Sequence, residues 1–506
     1  MTDILLTLDA GTTGLKCTAF TPDGRALAGS VASYAVQLPQ PGWAQQPADW
    51  FIAAAIAGAR ETLARAGDVR VAAIGLSGTM NGCIPVTAAG EALYPNIIHS
   101  DVRAEAQLAE IAAVRGAEAL YATTGNRLDV HYMLPKLLWL RRHAPDAFAG
   151  ARYFVNTKDA IYGFLTGLHG RTDFSDASLT GALNIHTGQW DAPLLRDLGL
   201  NPDAMPEILP SHDISGRLTA EAARALGLPA GTPVAIGAGD GVCATHGAGL
   251  HEPGSAYINM GSSAWLATLS DTPVIDPERR VFNFLDMDGR RAVLCATVQC
   301  AGAAADWALE NLLLPGQKPG AVAFAEMEAL AAAAPPGAEG LFFLPTLMGE
   351  RTPWWDAGAR GTLIGATLYH DRRHIARAVY EGVAQALHLC DSAARACGLS
   401  YDALALIGGG AGSGLWPQML ADMFDLPTRV HAQPREATSL GAAMAAGVGV
   451  GLFADYAEAA QMARFAPALA PDGRRTEAYA AHYAVYRALY GQVVGAYRLI
   501  NKMGAI

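Results

Sequence analysis

An apolar, strand-forming stretch that runs into a glycine-rich turn recurs along this chain, and it limits the possible folds more than any other feature. Residues 4–8 lead into Asp9-Ala10-Gly11-Thr12-Thr13-Gly14, after which residues 15–20 read as a returning strand. Residues 233–236 lead into Gly237-Ala238-Gly239-Asp240-Gly241, residues 256–260 into Gly261-Ser262-Ser263, and residues 405–407 into Gly408-Gly409-Gly410-Ala411-Gly412-Ser413. A turn at Pro22-Asp23-Gly24 opens a third strand over 26–33, apolar spacing predicts a helix over 50–66, and 71–76 is β-rich. Strands followed by alternating helices and strands predict an α/β domain on a mixed sheet. The repeated opening predicts two related α/β domains, 1–235 and 236–506, with the joint near 229–232. A C-terminal helix over 476–502 is expected to pack across them.

Composition agrees. A chain of 506 residues is too long for one core, and 51% hydrophobic against 16% charged residues supplies ample material for burial. The net charge of -11 argues against a nucleic-acid surface, which needs a basic face. The seven cysteines are scattered without paired spacing, so they imply neither a zinc site nor a disulfide framework and read as small buried hydrophobes. The opening apolar run is too short for a signal peptide, and the Gly/Ala-dense stretch 440–453 is too short to span a bilayer, so no membrane partner is expected. The cytoplasm is the expected compartment.

A glycine-rich turn after a strand points backbone N–H groups into a concavity that suits phosphate oxygens. In the first turn, Thr12 and Thr13 add hydroxyl donors, and Asp9 is able to hold Mg²⁺ directly or through water. The motif is neither a Walker loop nor a dinucleotide fingerprint, and a ligand-free turn is its plain alternative. Asp240 sits between glycines at a strand's carboxyl end, where α/β sheets gather their ligands. Phosphoryl transfer asks for alignment, charge neutralisation and a base for the attacking hydroxyl. Asp240 is the candidate base, against the alternative of a simple turn aspartate.

The ordered motifs resemble the FGGY carbohydrate kinases. Asp9 through Lys16 is similar to their first phosphate loop, and Gly42-Trp43 with Gln46, Pro47 and Trp50 to their G-W-x-x-Q…P…W stretch, one residue short. Pro135-Lys136-Leu137-Leu138-Trp139 resembles the first signature, and Gly239-Asp240 the segment of the catalytic aspartate. Phe343-Leu344-Pro345 through Gly349-Glu350-Arg351-Thr352-Pro353, then Gly361 through Glu381, and then Gly408-Gly409-Gly410-Ala411 follow in the family's order. The layout is most similar to that of xylulose kinases. The resemblance implies two actin-like (RNase H-like) ATPase domains with a ligand cleft between them, and ATP with Mg²⁺ as cofactors. By the same resemblance Thr12 and Thr13 hold phosphates, with Asp9 near the metal. Gly261 and Ser262 face the phosphates, Gly302 and Asp306 lie near the nucleotide sugar, and Gly409, Gly410 and Ser413 admit adenosine. Met80, Asn81, Asp101 and Arg103 fall where the family contacts its sugar. Trp43 and Trp50 read as packing anchors and Glu350-Arg351 as a structural ion pair or cap. His99, His131 and His246 lack metal-ligand spacing.

Two segments depart from the xylulose kinases, which carry Met-His at Met80-Asn81 and Trp-Asn-Asp at His99-Ser100-Asp101. Both changes touch recognition rather than transfer. The expectation is therefore an ATP-dependent kinase of a small sugar, first a ketopentose such as xylulose or ribulose. Alternatives are a polyol (pentitol, erythritol, glycerol) or a sugar acid, the last disfavoured because Arg103 is the evident cation. A non-catalytic sensor on the same fold is expected to lose the base, yet Asp240 is present. An actin-like filament protein does not account for the pocket segment 80–103. A homodimer is left open.

Overall fold

The computed structural model describes residues 2–503. They form two compact units that are not contiguous in sequence. The first holds the chain up to His251 together with Leu269–Val293 and Glu436–Arg464, and the second holds Glu252–Thr268, Leu294–Arg435 and Phe465 onward.

The first unit is built on the strand Thr2–Ala10, which pairs antiparallel with Gly14–Phe20 and parallel with Val69–Gly78. Ala26–Ser33 continues the meander on the far side of Gly14–Phe20. Alternation along the first strand sends Leu6 and Leu8 into one core with Phe51, Ile74 and Ile161, and Leu5 into another with Phe20, Leu440 and Met444. The expected single strand over 233–236 is instead two short pairings on Val69–Gly78, at Pro233–Val234 and Ala238–Gly239. Gly237 makes the break. Its φ is +75°, and an added Cβ would stand 2.0 Å from the Leu76 carbonyl oxygen, so the chain turns where only glycine fits.

The Gly/Ala-dense stretch is the helix Ala437–Gly449, and its small residues serve close packing. An added Cβ at Gly75 would lie 2.2 Å from the Ala442 carbonyl oxygen, one at Gly441 1.9 Å from that of Cys243, and one at Gly247 1.7 Å from that of Ala437. The helix is thereby seated on both the strand Val69–Gly78 and the helix Asp240–Gly247.

In the second unit Ala256–Met260 pairs antiparallel with Ala264–Ser270 and parallel with Leu404–Ile407, which pairs parallel with Thr428–Val430. The long helix Arg372–Ala396 underlies this unit. The C-terminal helix Gly473–Lys502 starts where the Asp472 side chain accepts from the amides of Arg474 and Arg475. It belongs to the second unit, and its buried tyrosines bond there. Tyr479 donates to Glu381 at 3.0 Å, Tyr486 to the Gly382 carbonyl at 3.1 Å, and Tyr497 shares a hydrogen bond with Thr362 at 2.7 Å. Among the described residues no helix is long and apolar enough to cross a membrane. The cysteines are free thiols, all buried except the half-buried Cys397.

Candidate active site

Register brings the first unit's acidic residues together. Asp9 lies opposite Ser77 on the parallel strand, and Ser77 lies opposite Ala238, two residues before Asp240. Asp240 opens the helix Asp240–Gly247, with Gly239 as its cap. Burial, then the charge of Asp9, pushes the Asp240 carboxyl up to about 7. Burial also raises Asp9, against the pull of Lys16 and of the Ser77 and Ser439 hydroxyls. Ser439 donates to Asp9 at 3.3 Å, and Lys16 pairs with Glu436 at 3.6 Å. Neither Ser439 nor Glu436 was anticipated, because both are carried in by a helix more than four hundred residues away.

The loop holding half-buried Thr12 and exposed Thr13 is fixed from behind. Gly11 N–H donates to the Gly14 carbonyl at 3.0 Å, Tyr34 Oη to the Gly11 carbonyl at 2.6 Å, and Gln46 Nε2 to the Thr12 carbonyl at 2.8 Å. Gln46 stands in the quoted motif, but its task shows only in the fold.

Met80 is buried and Asn81 adopts a left-handed φ of +67°, with its Oδ1 buried and without a hydrogen-bond partner. Lys136 reaches into this segment. Its three ammonium hydrogens meet the carbonyls of Asn81 at 2.6 Å, Ile98 at 2.9 Å and His131 at 2.8 Å, which ties both candidate sugar segments to the first signature helix, Met133–His143. Burial lowers the Lys136 ammonium to about 7.

Asp101 and Arg103 form a pair whose side chains have no exposed surface, 2.7 Å apart. Arg103 also donates to Tyr94 at 3.2 Å and Gln45 at 3.0 Å and lies 3.9 Å over the Trp43 ring, while Asp101 accepts from the amides of Ala44 and Arg103. Trp43 packs edge-on against Trp139, in keeping with an anchor, and additionally stacks this cation.

In the second unit a cavity of about 630 Å³ is lined by Gly261, Ser262, Gly302, Asp306, Gly409, Gly410 and Ser413, which gathers in one place every residue of this unit expected to meet nucleotide. Its loops are stitched by Gly302 N–H to the Gly261 carbonyl at 3.0 Å and Ala303 N–H to the Ser262 carbonyl at 3.0 Å. Ser413 donates to Glu328 and accepts from the amides of Leu415 and Trp416, so its hydroxyl shapes the loop. Tyr380 and Trp416, rings 4.6 Å apart, supply an aromatic wall that sequence motifs did not reveal. Burial and Glu310 raise Asp306. Glu350 accepts from the amides of Gln299 at 2.7 Å and Arg351 at 2.8 Å, which makes it a backbone cap.

The two units and their motifs have counterparts in known proteins. Residues 4–247 match the N-terminal domain of the FGGY family of carbohydrate kinases, and residues 256–450 match its C-terminal domain. A xylulose kinase of Bacillus subtilis (strain 168) is 30% identical over 490 residues, 96% of each chain. A glycerol kinase of Aromatoleum aromaticum is 32% identical over 502 residues, 96% of this chain and 98% of that one. The crystal structure of a gluconate kinase from Lactobacillus acidophilus superposes with a TM-score of 0.92 at 27% identity, covering 99% of this chain and 100% of that one. The chain belongs to the FGGY family of carbohydrate kinases. It is an ATP-dependent sugar phosphotransferase with the family's mixed α/β, actin-like fold.

Proposed function

We propose that the acceptor is a ketopentose such as xylulose or ribulose, and that the hydroxyl attacking the γ-phosphoryl group gives its proton to Asp240. The observation carrying the base assignment is the Asp240 carboxyl at a strand end beside Asp9, raised by burial to about 7, where it is able to take up and release a proton near neutrality. ATP occupies the second unit's cavity, with adenosine along Gly409 and Gly410 and the sugar near Asp306 and Gly302. The phosphates fall to Gly261, Ser262, Thr12 and Thr13. Asp9 suits Mg²⁺ because burial opposes its ionisation and a cation relieves that cost; bound there, the ion supplies neutralisation of phosphate charge. Among the described residues no group of three metal-ligating side chains stands together.

On the sugar side, the unpartnered Asn81 Oδ1 is suited to a substrate hydroxyl, with Met80 as an apolar neighbour. Asp101 and Arg103 hold the neighbouring loop against Trp43, Ala44, Gln45 and Tyr94. A sugar acid is disfavoured because Arg103 and Lys136, the cations of this segment, are spent on Asp101 and on three carbonyls. A polyol is the second reading, favoured by the glycerol kinase relative and by Asn81 and His99 standing where xylulose kinases carry His and Trp. The cytoplasm, which supplies ATP and keeps thiols reduced, fits the free cysteines. ADP release measured over ketopentoses, pentitols, tetritols, glycerol and aldonates tests the reading. The highest kcat/KM on a ketopentose is expected, and preference for an aldonate sinks it.

A further inference from the structure

Behind the strand end that precedes Asp240 lies a charged cluster almost entirely removed from solvent. Lys158 is 1% exposed and contacts Asp159 at 2.7 Å, Asp173 at 2.8 Å and Asp176 at 3.1 Å, all within the first unit. Taking four ionisable groups out of water is expensive, and such a cluster is rarely the cheapest way to fill a core. Burial, with repulsion from Asp159 and Asp173, raises Asp176 well above the usual carboxylate range.

Asp173 links the cluster to the strand end that precedes Asp240. Asp173 Oδ2 accepts from both the amide and the hydroxyl of Ser175. With its proton committed to Asp173, the Ser175 oxygen accepts from the Gly239 amide at 2.9 Å. Gly239 is the residue before Asp240 and caps its helix. The neighbouring strand end rests on the same lysine, since an added Cβ at Gly78 would meet the Lys158 Cβ at 3.1 Å, and Gly78 is the register partner of Gly239. The line therefore runs from the Lys158 ammonium through the Asp173 carboxylate and the Ser175 hydroxyl to the peptide that presents Asp240.

We propose that Lys158, Asp173 and Ser175 are positioning residues for phosphoryl transfer, fixing the Gly239 peptide so that the Asp240 carboxyl is held at one place and angle. The proposal rests on Asp240 being the base. None of the three touches the reacting atoms. Ser175 is the link whose removal leaves the buried ion cluster paired, which separates positioning from folding.

The test is a double-mutant cycle between Ser175→Ala and Asp240→Asn. Ser175→Ala is expected to lower kcat by about ten- to a hundredfold, the scale of a small misplacement of a reacting group. KM for ATP should stay within about twofold, because the side-chain partners of Ser175 are Asp173 and Gly239, neither of them assigned to nucleotide. In the Asp240→Asn background the same change should cost nothing further, since both act through one carboxylate. Ser175→Cys, of similar size but a poor acceptor, should fall between parent and alanine variant. Unchanged kcat in Ser175→Ala and Ser175→Cys, or losses that multiply in the double variant, overturn the relay while Asp240 stands as base. Parent-like turnover in Asp240→Asn alone overturns the base itself.

Discussion

At the scale of single residues, the proposed base Asp240 carries a cost in stability. Its ordinary value is 3.8 and its folded value about 7, so the folded chain keeps a proton that the unfolded chain releases. Stability from this group therefore falls as pH rises through that window and stays lower above it. Asp240→Asn removes the penalty. At about pH 8 the variant should melt at least as high as the parent, while turnover falls roughly 10²–10⁴-fold; thermal melts and kcat measured together check both. In the parent, kcat/KM should climb with pH through an inflection at about 7, and a flat profile counts against Asp240 as base. On the nucleotide side, the two glycines of one loop behave differently. An added Cβ at Gly410 would press on Met260 at 2.8 Å, whereas at Gly409 the nearest atom is Arg435 Nε at 3.9 Å. Gly409→Val should thus obstruct the cavity without disturbing its wall, raising KM for ATP with little loss of thermal stability.

At the scale of elements, the helix Ala437–Gly449 decides how the acidic site is assembled. Gly247→Ala would place a methyl 1.7 Å from the Ala437 carbonyl oxygen, a backbone contact that no rotamer relieves. Urea unfolding should register a loss of at least about 1–3 kcal/mol, the cost of overpacking a tight core, with activity falling as Ser439 shifts from Asp9. The buried Asp101–Arg103 pair sets a second element-level expectation. Asp101→Ala leaves a guanidinium without its counter-ion among Trp43, Tyr94 and Gln45, which costs about 3–5 kcal/mol when a buried pair is broken. Lowered thermal stability should therefore accompany any rise in sugar KM, and weakened sugar binding at parent stability would mean that Asp101 acts on substrate alone. Most strands and helices were visible in the sequence, since alternation, helical spacing and turn residues are local signals. The strand expected over 233–236 split because of the Leu76 carbonyl beside Gly237, and that neighbour is not local.

At the scale of the whole molecule, the cavity proposed for adenosine belongs to one compact unit and the proposed base Asp240 to the other. Binding of ATP should accordingly be separable from the transfer chemistry. A ligand at about a hundredfold over its Kd adds about 2.7 kcal/mol to the folded state, so ATP should raise the melting midpoint of Asp240→Asn as much as that of the parent. The same addition should move Gly409→Val far less, and equal shifts in all three proteins would place adenosine elsewhere.

By itself the sequence determined the α/β class, the glycine turns at the strand ends and the family. It also marked Asp9, Asp240 and the glycine-loop residues that line the second unit's cavity, though not its Tyr380 and Trp416 wall, because each marked residue lies in a short motif whose backbone geometry is set by its own neighbours. Only the tertiary structure decided that Arg103 and Lys136 are spent on internal partners, that Ser439 reaches Asp9, and that Ser175 holds the Gly239 peptide. Those facts depend on which distant segments a side chain meets, and packing selects those meetings where local propensity is silent. The Gly/Ala stretch near the end of the first unit shows the division most plainly. Its length argued against a membrane span, but its purpose emerged only when three backbones were found too close for any Cβ.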